Sequence, residues 1–478
     1  MPRKATLIAS LALTLTALCY ALPGTAAPSD LPAPVREAAG RLGMRLDALS
    51  VYVREVDAPE AIIEHLADAP RNPASTMKLL TTLAALEELG PSYQWKTEIY
   101  ADATVKAGRL EGNLYVKGYG DPYLVIENFW RLLRGLRSTG LHEISGDLVI
   151  DQSHFALEPG DPSDFDGQSW RAYNVLPRAV LVNFQAVNFR FQPQPELGVV
   201  RLIAEPMPAN FEIENRLRLT TGRCGGWGRH VGMRFVQQGG GEKMVVTGRY
   251  SASCGENEMF RVVSDPENYV QGVFSSLWRE QGGTFNGRAR DGITPPGARL
   301  LYTAYSPPLA DVIRSINKFS NNVMARQLLL TLGADRGGAP GTVDKGSRVV
   351  GDWLMRHSLD FSELVLENGA GLSRVSRISA RHLGELLLTG YRSSFMPEFM
   401  SSLPVASMDP ALRKRFGGEL AGRAHVKTGY LSGVRALAGY VFDRQGRRVI
   451  VVMMYNHRSA HAAEDLQDTL LNWVYLRP

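Results

Sequence analysis

Ser75-Thr76-Met77-Lys78 opens a run that reads as a helix, and it places a hydroxyl and an amine three residues apart. Asn72-Pro73 give a start signal, and proline suits a first helical position. Met77, Leu80, Leu83, Ala84 and Leu86 follow as an apolar stripe at helical spacing. Residues i and i+3 share a helix face, so the Ser75 hydroxyl and the Lys78 amine can meet. A serine hydroxyl is a weak nucleophile at neutral pH and needs a base beside it. A desolvated lysine with a lowered pKa can be that base. Backbone N–H groups at the helix start can stabilise an oxyanion.

A second Ser-x-x-Lys, Ser315-Ile316-Asn317-Lys318, shows that the spacing also arises by chance, and it reads as structural. The first match gains weight from its company. Ser320-Asn321-Asn322 lies downstream, and Lys427-Thr428-Gly429, which occurs once, lies beyond it. Residues 425–427 lead a strand into that triplet, and 436–441 continue after a Leu-Ser-Gly turn. Ser-x-x-Lys, Ser-x-Asn and Lys-Thr-Gly in this order are the motif set of penicillin-binding proteins and class A β-lactamases. Ser320 is also expected to cap its own helix.

Residues 1–26 read as a secretory leader: Arg3 and Lys4, an apolar run over 5–22, then Pro23-Gly24 and small residues that favour a cut after Ala26. An uncleaved anchor and a lipoprotein through Cys19 are the alternatives. Without the leader, Cys224 and Cys254 remain, and they either form one disulfide or stay as buried thiols. The formal charge falls from +5 to +3, and no basic cluster interleaves with aromatics, so nucleic acid is not an expected partner. Loose association with an anionic wall or membrane surface fits the sign. About 450 residues exceed one ordinary core. Ser75 and Ser320 stand 245 residues apart, and 94–299 breaks into short alternating runs between Gly, Pro and Asp. This middle reads as β-rich and as an insertion that leaves and re-enters one domain.

With these motifs placed, the chain resembles the class C low-molecular-mass penicillin-binding proteins, the D-alanyl-D-alanine carboxypeptidase/endopeptidase family of serine peptidases. The resemblance also rests on Asn113-Leu114-Tyr115-Val116-Lys117-Gly118-Tyr119-Gly120-Asp121-Pro122, Tyr173-Asn174-Val175-Leu176-Pro177, Val182-Asn183-Phe184, Ser402-Leu403-Pro404-Val405-Ala406 and His425-Val426 before the Lys-Thr-Gly. It implies an α+β fold: a transpeptidase/β-lactamase-like domain, with helices around an antiparallel sheet, over 27–95 and 300–478. It also implies two nested β-rich insertions, one over 96–182 and 257–299 and one over 183–256. Ser75 would be the acylated nucleophile, Lys78 its base, and Ser320 the proton relay to the leaving amine. Asn322, Lys427, Thr428 and Gly429 would hold substrate, and the backbone N–H groups of Ser75 and Tyr430 would form the oxyanion hole.

The resemblance implies hydrolysis of D-Ala-D-Ala, or of D-alanyl-diaminopimelyl bonds, in peptidoglycan stem peptides. It also implies a periplasmic location and inhibition by β-lactams, with no cofactor and no metal. Tyr430 stands where the family often has Thr or Ser, and Asn368-Gly369-Ala370-Gly371 and Asp409-Pro410 also depart from its pattern. A β-lactamase or esterase, and a wall-binding scaffold without catalysis, are the rival readings. His457 and His461 lack further ligands for a metal, and Gly118-Tyr119-Gly120 lacks the third glycine of a dinucleotide loop.

Overall fold

The computed structural model describes residues 31–238 and 241–477, so the leader expected over 1–26, with Cys19, lies outside the described residues. A five-stranded antiparallel sheet carries the strands in the order Ala424–Leu431, Val434–Phe442, Arg448–Asn456, Leu49–Glu55, Ala61–His65. Both of its faces are covered. Val449, Val451 and Met453 pack with Val35, Leu466 and Leu470 on one side. Ile450, Val452 and Met454 pack with Leu80, Leu83 and Leu387 on the other. Strand side chains alternate between faces, so a strand buried on both sides reads as the unbroken apolar run of 449–455.

The Lys78–Leu89 helix lies inside the second of these cores. Every side chain from Lys78 to Leu86 is buried. A helix apolar on all sides belongs in an interior, and here that interior also receives the Leu309–Lys318 and Asn322–Asp335 helices. Gly90, at φ +85°, ends the first helix in a conformation that suits glycine.

The expected insertion is built from four further sheets. One orders Ala289–Asp291, Leu148–Asp151, Leu114–Gly118, Lys96–Ala101 and Arg299–Tyr305. A four-stranded sheet of two-residue strands lies beside it in sequence, and two three-stranded sheets contain Ala186–Gln194 and Phe211–Thr220. The expected boundary at 299/300 falls inside the Arg299–Tyr305 strand, which pairs with Lys96–Ala101. Asn257–Val262 pairs with Ala186–Gln194, across the other expected division. One hydrophobic cluster runs through all of this, from Phe129 and Leu132 to Phe189, Val246 and Trp278.

The middle is less purely β than its texture suggests. Two helices, Ile126–Ser138 and Pro266–Glu280, cross it. Phe129, Leu132, Leu133 and Leu136 give the first a helical stripe. Asp265 caps the second and Pro266 occupies its first turn. Cys224 and Cys254 form a disulfide with Cα atoms 4.6 Å apart, which fits bridge geometry.

Leu437 is fully buried in the central sheet. Leu437→Ala removes its methyl groups and leaves a void, which costs about 2–5 kcal/mol. Urea unfolding of the two proteins should show a lower midpoint for the variant at an unchanged slope.

Candidate active site

Ser75 sits in a 3₁₀ turn, Ala74–Met77, that feeds directly into the Lys78–Leu89 helix. The expected α-helical start at Ser75 is therefore one turn early. The tighter turn has a consequence, because side chains at i and i+3 eclipse in a 3₁₀ helix. Lys78 Nζ lies 3.0 Å from Ser75 Oγ. Asn72 sets up the turn: its Oδ1 accepts from Ala74 N at 2.9 Å, and its Nδ2 donates to Ser373 O at 2.8 Å. Ala74 has φ +46°, a strained value for a residue with a side chain, directly before the serine.

Lys78 is fully buried. Besides Ser75, its Nζ meets Asn322 Oδ1 at 2.7 Å and the Ala370 carbonyl at 2.7 Å. Burial, and then the field of Lys427, hold its pKa well below the usual lysine range. A neutral amine has two N–H donors and one lone pair. Asn322 and Ala370 take the two donors, and the lone pair is left for the Ser75 hydroxyl proton.

Lys427 is buried as well, and burial brings its pKa down to about 7. Its Nζ donates to Ser320 Oγ at 2.8 Å and to its neighbour's carbonyl, Thr428 O, at 2.9 Å. Neither lysine has a carboxylate partner among the described residues. Buried, perturbed and unpaired bases gathered in one place are a physical signature of a reactive site.

Ser320 lies between the Leu309–Lys318 and Asn322–Asp335 helices, at φ +54°. It does not cap the second helix as expected. Asn321 does, accepting from Met324 N at 3.1 Å. Ser320 is thereby released from the helix, and its hydroxyl turns to Lys427.

Two close backbone approaches hold these pieces together. A Cβ on Gly429 would come 2.6 Å from Pro73 O, so the strand carrying Lys427 lies directly on the Ser75 turn. A Cβ on Gly371, at φ +72°, would come 1.8 Å from Ala74 O. The 368–373 loop thus presses on the same turn from another side. Thr81 Oγ1 donates to Gly369 O at 2.8 Å, which aims the Ala370 carbonyl at Lys78. Sequence reasoning noted this loop only as a departure from the family pattern and missed the carbonyl. Its two glycines among turn residues were the available signal.

Tyr430 is two-thirds exposed, and its ring lies over the Arg435 guanidinium at 3.5 Å. Arg435 is held in turn by Glu464 at 3.1 Å. Lys318, of the second Ser-x-x-Lys, donates to Asp409 Oδ2 at 2.7 Å and Leu403 O at 3.0 Å, a structural brace. His457 Nδ1 bonds to Ser459 Oγ at 2.8 Å, and no group of His, Cys, Asp or Glu among the described residues is arranged to hold a metal. A cavity of about 1310 Å³ is bordered by Trp170, Leu176 and Phe235 and does not include Ser75.

The chain is similar over most of its length to known proteins. The model of the D-Ala-D-Ala carboxypeptidase 3 (S13) family matches residues 38–475. A D-alanyl-D-alanine carboxypeptidase from an Actinomadura strain is 31% identical over 415 residues, covering 83% of this chain and 76% of that protein. Penicillin-binding protein 4 of Haemophilus influenzae superposes with a TM-score of 0.75 at 22% identity, over 92% of this chain and 99% of that one. That protein has also been seen in complex with a β-lactam. A predatory endopeptidase of Bdellovibrio bacteriovorus shares the fold with a TM-score of 0.53 at 17% identity, over 89% and 92% of the two chains. The chain belongs to the D-Ala-D-Ala carboxypeptidase 3 (S13) family and is a serine-type D-Ala-D-Ala carboxypeptidase of the penicillin-binding class.

Proposed function

We propose that Ser75 is the nucleophile with which this enzyme opens peptidoglycan stem peptides. The observation that carries this is the 3.0 Å approach of a buried, carboxylate-free Lys78 to Ser75 Oγ. Neutral Lys78 takes the hydroxyl proton as Oγ attacks the carbonyl of the penultimate D-alanine. Backbone N–H groups of Ser75 and Tyr430 stabilise the oxyanion. Ser320, polarised by Lys427, passes its proton to the leaving amine and takes in exchange the one that Lys78 removed from Ser75, and the C–N bond breaks. The amine departs as D-alanine, or as the side-chain amine of a cross-linked stem. Water then hydrolyses the Ser75 ester, and the proton lost by that water returns the site to its starting state. Lys427 and Thr428 hold the terminal carboxylate, and Asn322 the peptide amide.

The leader-like first 26 residues support export to the periplasm. β-Lactams, which mimic the substrate, acylate the same serine.

Intact mass after benzylpenicillin treatment tests the assignment. Wild type gains one drug mass and Ser75→Ala none; equal adducts on both would sink it. Lys78→Met should slow acylation about 10²–10⁴-fold, the usual worth of a general base.

The buried lysines also set a pH dependence. Lys427 has a folded pKa of about 7 against an ordinary 10.5. Between these values the unfolded chain binds the proton that the folded one has released, so stability rises with pH across that window. The slope from one such group is at most about 1.4 kcal/mol per pH unit. Lys427→Met should flatten the rise without abolishing it, since Lys78 is shifted in the same direction. Denaturant midpoints between pH 7 and pH 10 measure both slopes.

A further inference from the structure

The net charge outside the leader is concentrated in one place. Residues 183–256 hold nine Lys and Arg against six Asp and Glu, which accounts for the entire +3. From 215 to 241 there are five arginines and no acid.

The fold gathers this charge on one end of one sheet. Phe211–Thr220, Gly241–Ser251 and Val231–Gln238 form a three-stranded sheet. Its inner face carries Leu217, Leu219, Val246 and Tyr250 into the core. Alternation sends Arg218 and Arg249 to the outer face, where both are exposed. They stand directly opposite one another in the strand register. Like charges on neighbouring strands repel, and neither arginine has an acidic partner among the described residues.

More charge is brought to the same edge. Arg249 N donates to His230 O at 3.0 Å, which sets Arg229 alongside. The Cys224–Cys254 disulfide pins the loop that carries Arg223 and Arg229. Both are exposed and unpaired among the described residues.

An apolar tip adjoins them. Asn215 Nδ2 donates to Val200 O at 2.7 Å, so Val199–Glu205 runs back along Phe211–Thr220. That places the preceding turn at the Thr220 end. Leu197 on the turn is 67% exposed and Val199 is 46% exposed, with Arg201 exposed beside them. Glu196 on this turn and exposed Glu256, which accepts from Gln192 Nε2 at 2.9 Å, are the acids near this end.

We propose that this end of the inserted unit, Arg218, Arg223, Arg229 and Arg249 with Leu197 on the adjoining turn, docks on an anionic phospholipid bilayer. Arginines without partners fit lipid phosphates. The exposed aliphatic tip distinguishes a bilayer from a soluble polyanion or a carboxylate-bearing wall polymer, neither of which offers an apolar layer to Leu197. The docking is electrostatic in the main, and therefore reversible and weakened by salt.

Co-sedimentation of residues 27–478 with vesicles tests the proposal. Vesicles of equal phosphatidylglycerol and phosphatidylcholine should pellet the protein at low salt, and pure phosphatidylcholine should not. Arg218→Gln with Arg249→Gln should lower the partition coefficient about twenty- to thirtyfold, as expected for two cations near an anionic surface. Arg223→Gln with Arg229→Gln should lower it similarly, and Leu197→Ser severalfold. Circular dichroism melts of the variants should match wild type, since each changed side chain is exposed. Equal binding by wild type and both arginine double variants would overturn the proposal, as would no binding to anionic vesicles. Pelleting with isolated sacculi but not with vesicles would also overturn it, and would assign the surface to the wall polymer.

Discussion

An amine that leaves water without a counter-ion keeps its proton only at a cost of several kcal/mol, and the usual outcome is that the proton goes instead. Two amines are buried here, and the field of Lys427 adds to the burial of Lys78. A carboxylate beside either would have restored the charged form and removed the base. Carbonyl, amide and hydroxyl oxygens surround them in its place: Ala370 and Asn322 for Lys78, Ser320 and Thr428 for Lys427. These accept hydrogen bonds without fixing a positive charge. The chemistry assigned to Ser75 depends on that choice of neighbours more than on the serine itself.

Keeping carboxylates out while keeping the amines in hydrogen-bond reach demands close backbone packing around the Ser75 turn. Three segments far apart in sequence converge on it: 72–78, the 368–373 loop and the strand carrying Lys427. Glycines at 371 and 429 are the points of contact, and any side chain at either would push the segments apart. The contact also explains the strain. Ala74 and Ser320 both adopt positive φ, and each is held there by neighbours that bond around it.

The Arg448–Asn456 strand was legible because it is buried on both faces and reads as the unbroken apolar run of 449–455. The catalytic motifs were legible because each is a short local pattern in the right order. What sequence reasoning missed depended on tertiary geometry. The Ala370 carbonyl belongs to no motif, since every residue has a carbonyl, and only the fold aims this one at Lys78. Asn321 displaced Ser320 as the cap because two adjacent residues were both competent, and the demand of Lys427 for a hydroxyl decided between them. The helices Ile126–Ser138 and Pro266–Glu280 were hidden among turn-rich strands, although their stripes and caps are plain once isolated.

Asn322 shows how the resting site prepares for substrate. Its Oδ1 accepts from Lys78, which fixes which end of the amide faces inward. Its Nδ2 carries no protein bond among the described residues, which leaves it open for the substrate contact proposed for this residue. An amide free to rotate would lose orientational entropy on binding; this one is already oriented by the base. The bond also reports the state of the site. In the proposed reaction Lys78 becomes an ammonium as it takes the Ser75 proton, and its hydrogen bond to Asn322 then gains charge assistance and tightens. Asn322, proposed to hold the substrate, is therefore held most firmly when the serine oxygen is most nucleophilic. Positioning and activation share a single hydrogen bond.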